Sequence, residues 1–431
     1  MNIEDIYKIY QQHPTVETDT RKLKKNDLFF ALKGPNFNGN EFAKQALEKG
    51  AAYVFVDEEI LFDDDRIILT NDVLQTLQDL SKFHRIELKR LQPGKEIPFI
   101  GITGSNGKTT TKELVHKVLC SKFKTYTTEG NLNNHIGVPL TILKIRDDVE
   151  MAVIEMGANH LKEIAGYCEY AMPTHGLITN CGKAHLEGFG SIENVKKGKG
   201  ELFDYLRKHN GTAFVNQNDK TLVQLSNGIN EVIYYGNKEG KVKGRITESD
   251  PLLKINIDGD NRFHMQTNLV GAYNLSNVLA AVCIGRHFDV EDEEIKKAIE
   301  NYTPSNSRSQ LLTYDTNTVI LDAYNANPSS MKAAIENFAS IQADKKILLL
   351  GSMMELGAES DNEHAAIVSL IEKYKWNAVV LVGRGFKEVP HNFISYNTAL
   401  EAKEWLQRFH PENAHILIKG SRSMQMEKVL E

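Results

Sequence analysis

Residues 97–110 read Ile97-Pro98-Phe99-Ile100-Gly101-Ile102-Thr103-Gly104-Ser105-Asn106-Gly107-Lys108-Thr109-Thr110. The apolar first half predicts a buried strand, and the glycine-rich second half leads into a helix. Glycines let backbone N–H groups turn toward phosphate oxygens, the lysine reaches the β- and γ-phosphates, and the first threonine can hold Mg²⁺. The strict motif has glycine where Ile102 stands, so the sequence predicts a variant phosphate loop (P-loop). The residues predicted to bind nucleotide phosphates are Gly104, Ser105, Asn106, Gly107, Lys108, Thr109 and Thr110.

The chain on either side of this loop alternates apolar strand-like runs with helical periodicity, which is typical of α/β proteins. The runs at 150–155 and 175–179 are continuously apolar, as strands of a parallel sheet covered on both faces must be. Between about 231 and 270, the alternating residues Leu253, Ile255 and Ile257 predict a small antiparallel excursion. Residues 271 to about 301 are predicted to return to helix.

The N-terminal and C-terminal parts of the chain are predicted to be domains separate from the central one. Turn-rich residues 92–95 and 303–307 are the expected linkers. Beyond the second linker, runs at 346–351, 378–383 and 415–420 predict three parallel strands, each ending at a glycine. We therefore predict an α/β protein with three domains: a small N-terminal α/β domain (1–93), a central P-loop domain with a mostly parallel sheet (94–303) and a C-terminal Rossmann-like domain (304–431).

Composition excludes several classes of protein. The chain has 431 residues, a formal charge of −6 and 41% hydrophobic residues, which is ordinary for a globular protein. The acidic balance argues against a nucleic-acid partner, and no apolar run approaches the roughly 18 residues that span a bilayer. The N-terminus lacks a signal peptide, and the four cysteines show no paired spacing. We expect a cytoplasmic protein without membrane insertion.

Two side chains follow strands of the central sheet. Glu155 ends one apolar strand, where α/β proteins bind ligands, so it is a candidate for holding Mg²⁺ or polarising water. His185 follows the next strand on the same sheet edge. Position alone leaves alternatives open, since a strand-end glutamate is often merely solvated and a lone histidine is often structural.

Ten segments of the sequence resemble the Mur ligases. The general family motifs correspond to residues 101–111, 128–139, 179–190, 197–201 and 271–277. Five further segments resemble the members that add D-alanyl-D-alanine: Tyr324-Asn325-Ala326-Asn327-Pro328, with residues 354–357, 419–424, 18–21 and 28–34. These segments are distributed over essentially the whole chain and occur in the family's order.

The resemblance implies an ATP-dependent amide ligase of cytoplasmic peptidoglycan precursor synthesis. It would join D-alanyl-D-alanine to UDP-N-acetylmuramoyl-tripeptide through an acyl phosphate. The third residue of the peptide, diaminopimelate or lysine, stays open.

 

We expect a monomer whose N-terminal domain binds the UDP-substrate and whose C-terminal ligase domain closes on ATP and the amino acceptor. The resemblance also implies roles for single residues, and two Mg²⁺ sites. Lys108, Lys199, His185 and Glu155 would be catalytic. The metal ligands would be Thr109, Glu155, His185 and Lys199, the last as a carbamylated lysine. The other ATP contacts would be Asn274 and Asn277 at adenine, Asp322 at ribose and Arg308 at the phosphates.

Two further sets of residues are implied for the other substrates. The UDP-substrate would be held by Asp19, Thr20, Arg21, Gly34 and Asn36. The amino acceptor would be held by Tyr324, Asn325 and Asn327.

Other functions remain as alternatives. Within the superfamily these are the ligase that adds the third residue and folylpolyglutamate synthase. Outside it, a nucleotide-dependent switch would need a guanine-reading Asn-Lys-x-Asp, whereas the nearest string, residues 216–219, lacks the lysine. A scaffold that only binds nucleotide is the last alternative, and the intact set of candidate catalytic residues argues against it.

Overall fold

The N-terminal part of the chain is a small α/β layer. The computed structural model describes residues 1–59, 64–91, 94, 97–259 and 262–431. Within that range, a parallel sheet has the strand order Val16–Glu17, Leu28–Phe30, Tyr53–Val56, Ile67–Leu69. A short hairpin pairs Lys33–Gly34 with Phe37–Asn38. The helices are Ile3–Gln12, Ala43–Glu48 and Val73–Leu91, with a 3₁₀ turn at Gly39–Phe42.

The central part is built on a nine-stranded sheet among the described residues. Its strand order is Phe263–Val270, Leu252–Asp258, Val242–Ser249, Glu231–Gly236, Thr212–Asn216, His175–Ile178, Phe99–Thr103, Met151–Glu155, Thr125–Thr127. The strand that leads into the phosphate loop, Phe99–Thr103, pairs parallel with both of its neighbours, and the edge pair beyond it is also parallel. The helices are Lys108–Cys120, Gly137–Leu143, Glu163–Ala171, Leu186–Phe189, Ile192–Lys208, Lys220–Leu225, Leu275–His287 and Asp292–Glu300, with a 3₁₀ turn at Ala272–Asn274.

The C-terminal part carries a third sheet, six-stranded over the residues described. Its order is Gln310–Tyr314, Asn317–Asp322, His415–Lys419, Lys346–Gly351, Ala378–Val382, Ile394–Tyr396, and only the first pair is antiparallel. The helices are Pro328–Ser340, Ser360–Ile371, Arg384–Lys387 and Ala399–Phe409. Short 3₁₀ turns lie at Gly357–Glu359, Arg422–Met424 and Met426–Leu430.

The predicted α/β class and three-part architecture are confirmed, with two corrections of detail. The strand Glu231–Gly236 pairs parallel with both of its neighbours, so the antiparallel excursion is confined to 242–270. The predicted helical stretch at 271–301 is two helices, separated at Phe288–Glu291. The exact domain boundaries stay predictions, and the first linker, at 92–95, lies outside the described residues except for Gly94.

A buried polar seam joins the N-terminal part to the central part. Tyr10 donates a 2.5 Å hydrogen bond to the Leu143 carbonyl, and His84 Nε2 lies 2.9 Å from the Ile145 carbonyl. Arg146 donates to Tyr10 Oη at 3.0 Å. Burial lowers the pKa of His84 to about 4, so its ring is neutral at pH 7. The seam holds these two parts in a defined relative position.

Across the residues that the structure describes, no helix combines the length and apolar character required to cross a membrane.

Candidate active site

A cavity of about 760 Å³ lies at the carboxyl ends of the central strands, between the central and C-terminal parts. Ligands of open α/β sheets bind at this edge. Most of the predicted site residues line it: Ser105, Asn106, Gly107, Lys108, Thr109, Thr110, Glu155, His185, Asn274, Asn277, Arg308, Asp322, Tyr324, Asn325 and Asn327. The structure therefore brings together, around one space, residues that are more than 200 positions apart in sequence.

The phosphate loop has the backbone that its glycines predict. Gly104 and Gly107 have φ angles of 139° and 79°, which side chains rarely adopt. A Cβ on Gly104 would lie 2.0 Å from Thr179 Oγ1, so the turn also requires the missing side chain. The helix Lys108–Cys120 begins directly after the loop and presents its N-terminus to the cavity.

Lys108 folds back over this loop. Its ammonium donates to the carbonyls of Gly104 at 2.6 Å and Ser105 at 3.1 Å. Burial lowers the lysine pKa, and Arg308 lowers it further, while the Glu155 carboxylate opposes both effects. A phosphate placed in the loop would supply the negative charge that favours the ammonium form.

Glu155 offers an unused oxygen to the cavity. Its side chain is buried, and its Oε1 accepts hydrogen bonds from Thr109 Oγ1 at 3.1 Å and Asn133 Nδ2 at 2.7 Å. Its Oε2 is buried and has no hydrogen-bond partner. A buried carboxylate oxygen is costly to leave unpaired, so this atom is placed for a ligand.

These residues fit a magnesium ion that is shared with substrate. Within the described part of the chain, no three His, Cys, Asp or Glu side chains are grouped to hold a metal on their own. Mg²⁺ in phosphate-binding sites typically takes one or two carboxylates and completes its shell with water and phosphate oxygens. The Thr109 hydroxyl beside the free oxygen of Glu155 provides a donor set of this kind.

His185 faces the C-terminal part. It has a left-handed φ of 53°, and its Nδ1 lies 2.5 Å from Oε2 of Glu355. The close approach of the His185 ring lowers the pKa of Glu355. The backbone N–H of Glu187 also donates to the Glu355 carbonyl, at 3.0 Å. The predicted metal role of His185 stays a prediction: the residue lines the cavity, and its Nδ1 lies against a carboxylate.

Lys199 is fully buried behind the cavity wall. Its ammonium donates to the Ala158 carbonyl at 2.7 Å and lies 5.2 Å from the centre of the Phe189 ring. Burial, with a further contribution from Lys108, lowers the pKa of Lys199 to about 7. Ala158 itself lines the cavity, so a single residue separates the Lys199 ammonium from the cavity. Lys197, on the same helix, is exposed.

Two buried asparagines form the opposite wall. Asn277 donates to Asn274 Oδ1 at 2.8 Å and accepts from Thr111 at 3.1 Å. Asn274 donates to the Val270 carbonyl at 2.8 Å. These contacts fix the orientation of both amides at the edge of the phosphate loop, where a Cβ on Gly107 would meet Asn277 Oδ1 at 2.8 Å.

Lys419 is a site residue that sequence reasoning quoted within a motif but did not identify. Its side chain is 2% exposed, and its ammonium donates to Asp322 Oδ2 at 2.6 Å and to the Asn325 carbonyl at 3.1 Å. Asp322 also accepts from the Ser309 backbone N–H at 3.0 Å. The signal was present: two parallel strands end in a carboxylate and a lysine, and the sheet register pairs Asp322 with Lys419.

The C-terminal part contacts the phosphate loop directly. Asn327 Nδ2 donates to Asn106 Oδ1 at 2.7 Å, while its Oδ1 caps the helix Pro328–Ser340. The guanidinium of Arg308 stacks over the Tyr324 ring, 3.5 Å from its centre. Asn325 is exposed, and its Oδ1 accepts from the Ala326 N–H. The three residues predicted for the acceptor thus lie beside the predicted phosphate contacts.

The residues predicted to hold the UDP-substrate lie elsewhere, in the N-terminal part. None of Asp19, Thr20, Arg21, Gly34 and Asn36 lines the cavity. The hydrogen bonds from Arg21 lower the pKa of Asp19 to about 2, and the Arg21 side chain is 87% exposed. Gly34 sits in the short hairpin, where the Phe37 ring covers it.

Comparison with protein families gives three matches in chain order. The family described as "Mur ligase family, catalytic domain" matches residues 14–88. "Mur ligase middle domain" matches residues 102–285, and "Mur ligase, glutamate ligase domain" matches residues 307–422.

Curated relatives match over nearly the whole chain. UDP-N-acetylmuramoyl-tripeptide--D-alanyl-D-alanine ligase of Bacillus subtilis is 34% identical, covering 96% of this chain and 92% of the relative. The enzyme of the same name from Escherichia coli is 32% identical, with the same two coverages.

Solved structures agree with the sequence matches. MurF from Acinetobacter baumannii has a TM-score of 0.85 at 28% identity, covering 96% of this chain and 92% of that one. MurF ligase from Thermotoga maritima in complex with ADP has a TM-score of 0.84 at 25% identity and covers 96% of both chains.

Proposed function

The chain belongs to the Mur ligase family, and from this premise we propose that it joins D-alanyl-D-alanine to UDP-N-acetylmuramoyl-tripeptide at the expense of ATP. The family makes it an ATP-dependent ligase. The observation that carries the proposal is the single cavity in which the phosphate loop meets Asn327 and Arg308 of the C-terminal part. The chemistry requires ATP and an amino acceptor to meet at one point.

The nucleotide end of the cavity is assigned from its contacts. The loop N–H groups and Lys108 would hold the β- and γ-phosphates, with Arg308 opposite them. Asn274 and Asn277 would bind adenine, since each amide offers both a donor and an acceptor. Asp322 would accept hydrogen bonds from the ribose hydroxyls, and Lys419 holds its carboxylate in place.

The first chemical step joins two anions, a peptide carboxylate and the γ-phosphate of ATP, to give an acyl phosphate and ADP. Lys108 and the loop N–H groups lower the repulsion between them. Mg²⁺ would neutralise phosphate and carboxylate charge when bound: Thr109 and Glu155 would hold one ion, and Glu155 with His185 would help to hold a second. In the second step the amine of D-alanyl-D-alanine displaces phosphate and forms the amide.

We further propose that Lys199 carries a carbamate. A buried ammonium beside a magnesium site would repel the ion, whereas a carbamate is an anionic oxygen donor. The neutral amine of Lys199 would add to CO₂ and release one proton to give the carbamate, and burial of the Lys199 side chain favours the neutral amine.

The remaining proposals concern the sites of the other two substrates, the cellular location and the oligomeric state. Tyr324, Asn325 and Asn327 would receive the acceptor, because they lie beside the Arg308 guanidinium and the phosphate loop. The UDP part of the donor would bind the N-terminal part at Asp19, Thr20, Arg21, Gly34 and Asn36. We also propose a cytoplasmic monomer without a nucleic-acid partner or membrane insertion.

The test is release of ADP and phosphate by the purified chain with ATP, Mg²⁺, UDP-N-acetylmuramoyl-tripeptide and D-alanyl-D-alanine. We expect one ADP per amide formed, and loss of amide formation when either the donor or the acceptor is omitted. Replacing the donor with the UDP-dipeptide or with a folate tests the related ligase activities. Turnover with either of those, and none with the tripeptide, would refute the proposal.

A further inference from the structure

A second cavity, of about 430 Å³, adjoins the first. It lies between the N-terminal helix Val73–Leu91 and the central helix Glu163–Ala171. Three residues, His135, Glu163 and Tyr167, line both cavities. The side chain of Gln78 closes one wall by donating to the His135 carbonyl at 3.0 Å. The two cavities are therefore neighbouring compartments of one cleft.

The walls of this second cavity carry both signs of charge. Lys82 and Glu169 face each other at 3.8 Å, too far apart for a hydrogen bond. The exposed ammonium of Lys162 has no hydrogen bond or ion pair among the described residues. The Tyr170 side chain is 6% exposed, and its hydroxyl is buried without a partner in the part of the chain that the structure describes. Polar groups of both signs are thus available to a ligand.

The proposed reaction places a particular group beside the first cavity. The carboxylate that is phosphorylated belongs to the terminal residue of the donor peptide, and it must lie at the γ-phosphate. The side chain of that residue leaves the carbon next to the carboxylate, so it must enter space that adjoins the phosphate site. The second cavity is such a space, on the side facing the N-terminal part.

We propose that this cavity binds the side chain of the donor's terminal residue and selects diaminopimelate over lysine, an inference that rests on the proposed function. Both side chains end in an ammonium, but diaminopimelate carries a carboxylate on the same carbon. Glu169 can accept the ammonium, while Lys82 and Lys162 are placed for the carboxylate. A lysine side chain lacks this carboxylate, so it offers no anion to either cation.

The experiment compares kcat/KM for the two UDP-muramyl-tripeptides, one ending in diaminopimelate and one in lysine. We expect the parent to prefer the diaminopimelate donor. Lys82→Met and Lys162→Met should each lower kcat/KM for that donor by about tenfold, because each removes a charged hydrogen-bond donor. The lysine donor should be affected less than twofold. Lys89→Met is the matched control, since Lys89 is exposed on the helix of Lys82 but does not line the cavity.

The outcomes separate this inference from the proposed function. Equal losses with both donors, no loss in either lysine variant, or a parent preference for the lysine donor would overturn the assignment of the cavity while leaving the ligase activity established. A parent that makes amide with neither donor would refute the proposed function, and this inference with it.

Discussion

Replacing Lys419 with methionine should destabilise the C-terminal part strongly. The substitution removes the cation from a pair in which the lysine is 2% exposed and the Asp322 side chain 18% exposed. Breaking a buried pair on one side costs about 3–5 kcal/mol. Asp322 keeps the Ser309 N–H as a donor and some contact with water, so we expect the lower end of that range, about 3 kcal/mol.

The chain offers both a probe and a control for this measurement. Its two tryptophans, Trp376 and Trp405, lie in the C-terminal part, so fluorescence during urea unfolding reports on that part. At a slope of about 2 kcal/mol per molar, the Lys419→Met midpoint should fall by about 1.5 M. Lys332→Met breaks an exposed pair with Glu336, where about 0.5 kcal/mol or less is expected.

A midpoint for Lys419→Met that matches the Lys332→Met control would refute the reasoning. A double-mutant cycle with Asp322→Asn adds a second criterion, because two residues in contact should not give additive losses. We also expect a higher KM for ATP in Lys419→Met, since Asp322 loses the group that positions its carboxylate for ribose.

Three further outcomes are expected. Lys108→Ala should lower kcat by on the order of 10²–10³ or more, as measured by ADP release, and a loss within threefold would contradict the phosphate-loop assignment. Lys199→Ala should lose most activity and regain part of it with added short carboxylates, while the exposed Lys197→Ala retains activity; full activity of Lys199→Ala would end the carbamate proposal. His84 has a pKa of about 4 when folded and an ordinary value of 6.5, so the unfolded chain takes up the proton first as the pH falls. The stabilisation is present above pH 6.5 and is lost between 6.5 and 4, by about 3 kcal/mol, and His84→Gln should flatten this part of the pH–stability curve in urea titrations.

Local patterns were sufficient for the parts of the fold that depend on local chemistry. The glycines at 104 and 107 predict a tight loop because glycine adopts positive φ angles without steric cost, and the structure shows positive φ at both. The strand that ends at Glu155 and the strand that precedes the phosphate loop were predicted from continuous apolar runs, and both are buried and pair parallel with each other.

The direction of strand pairing and the contacts between distant residues were harder to predict from the sequence. The strand Glu231–Gly236 alternates like its antiparallel successors but pairs parallel, since alternation reports which face is buried and not the direction of the neighbour. The contact of His185 with Glu355 joins loop residues 170 positions apart in the central and C-terminal parts, and no local pattern encodes it. The pairing of Lys419 with Asp322 could have been predicted, because the two residues end neighbouring parallel strands and carry opposite charges.

The seam between Tyr10, His84 and Arg146 has a consequence for the order in which the chain folds during synthesis. The helix Val73–Leu91 packs Leu77 and Leu80 into a cluster that includes Leu143. From residue 91 to residue 146 the ribosome adds 146 − 91 = 55 residues, which takes about 3–11 s at roughly 5–20 residues per second. During that interval the inner face of this helix can pack on the first part of the chain, where Tyr7 and Tyr10 lie against His84, but Leu143 and the Ile145 carbonyl are still missing. The first sheet can pair its own strands early, but its helix layer is completed only when the central part delivers residues 143–146.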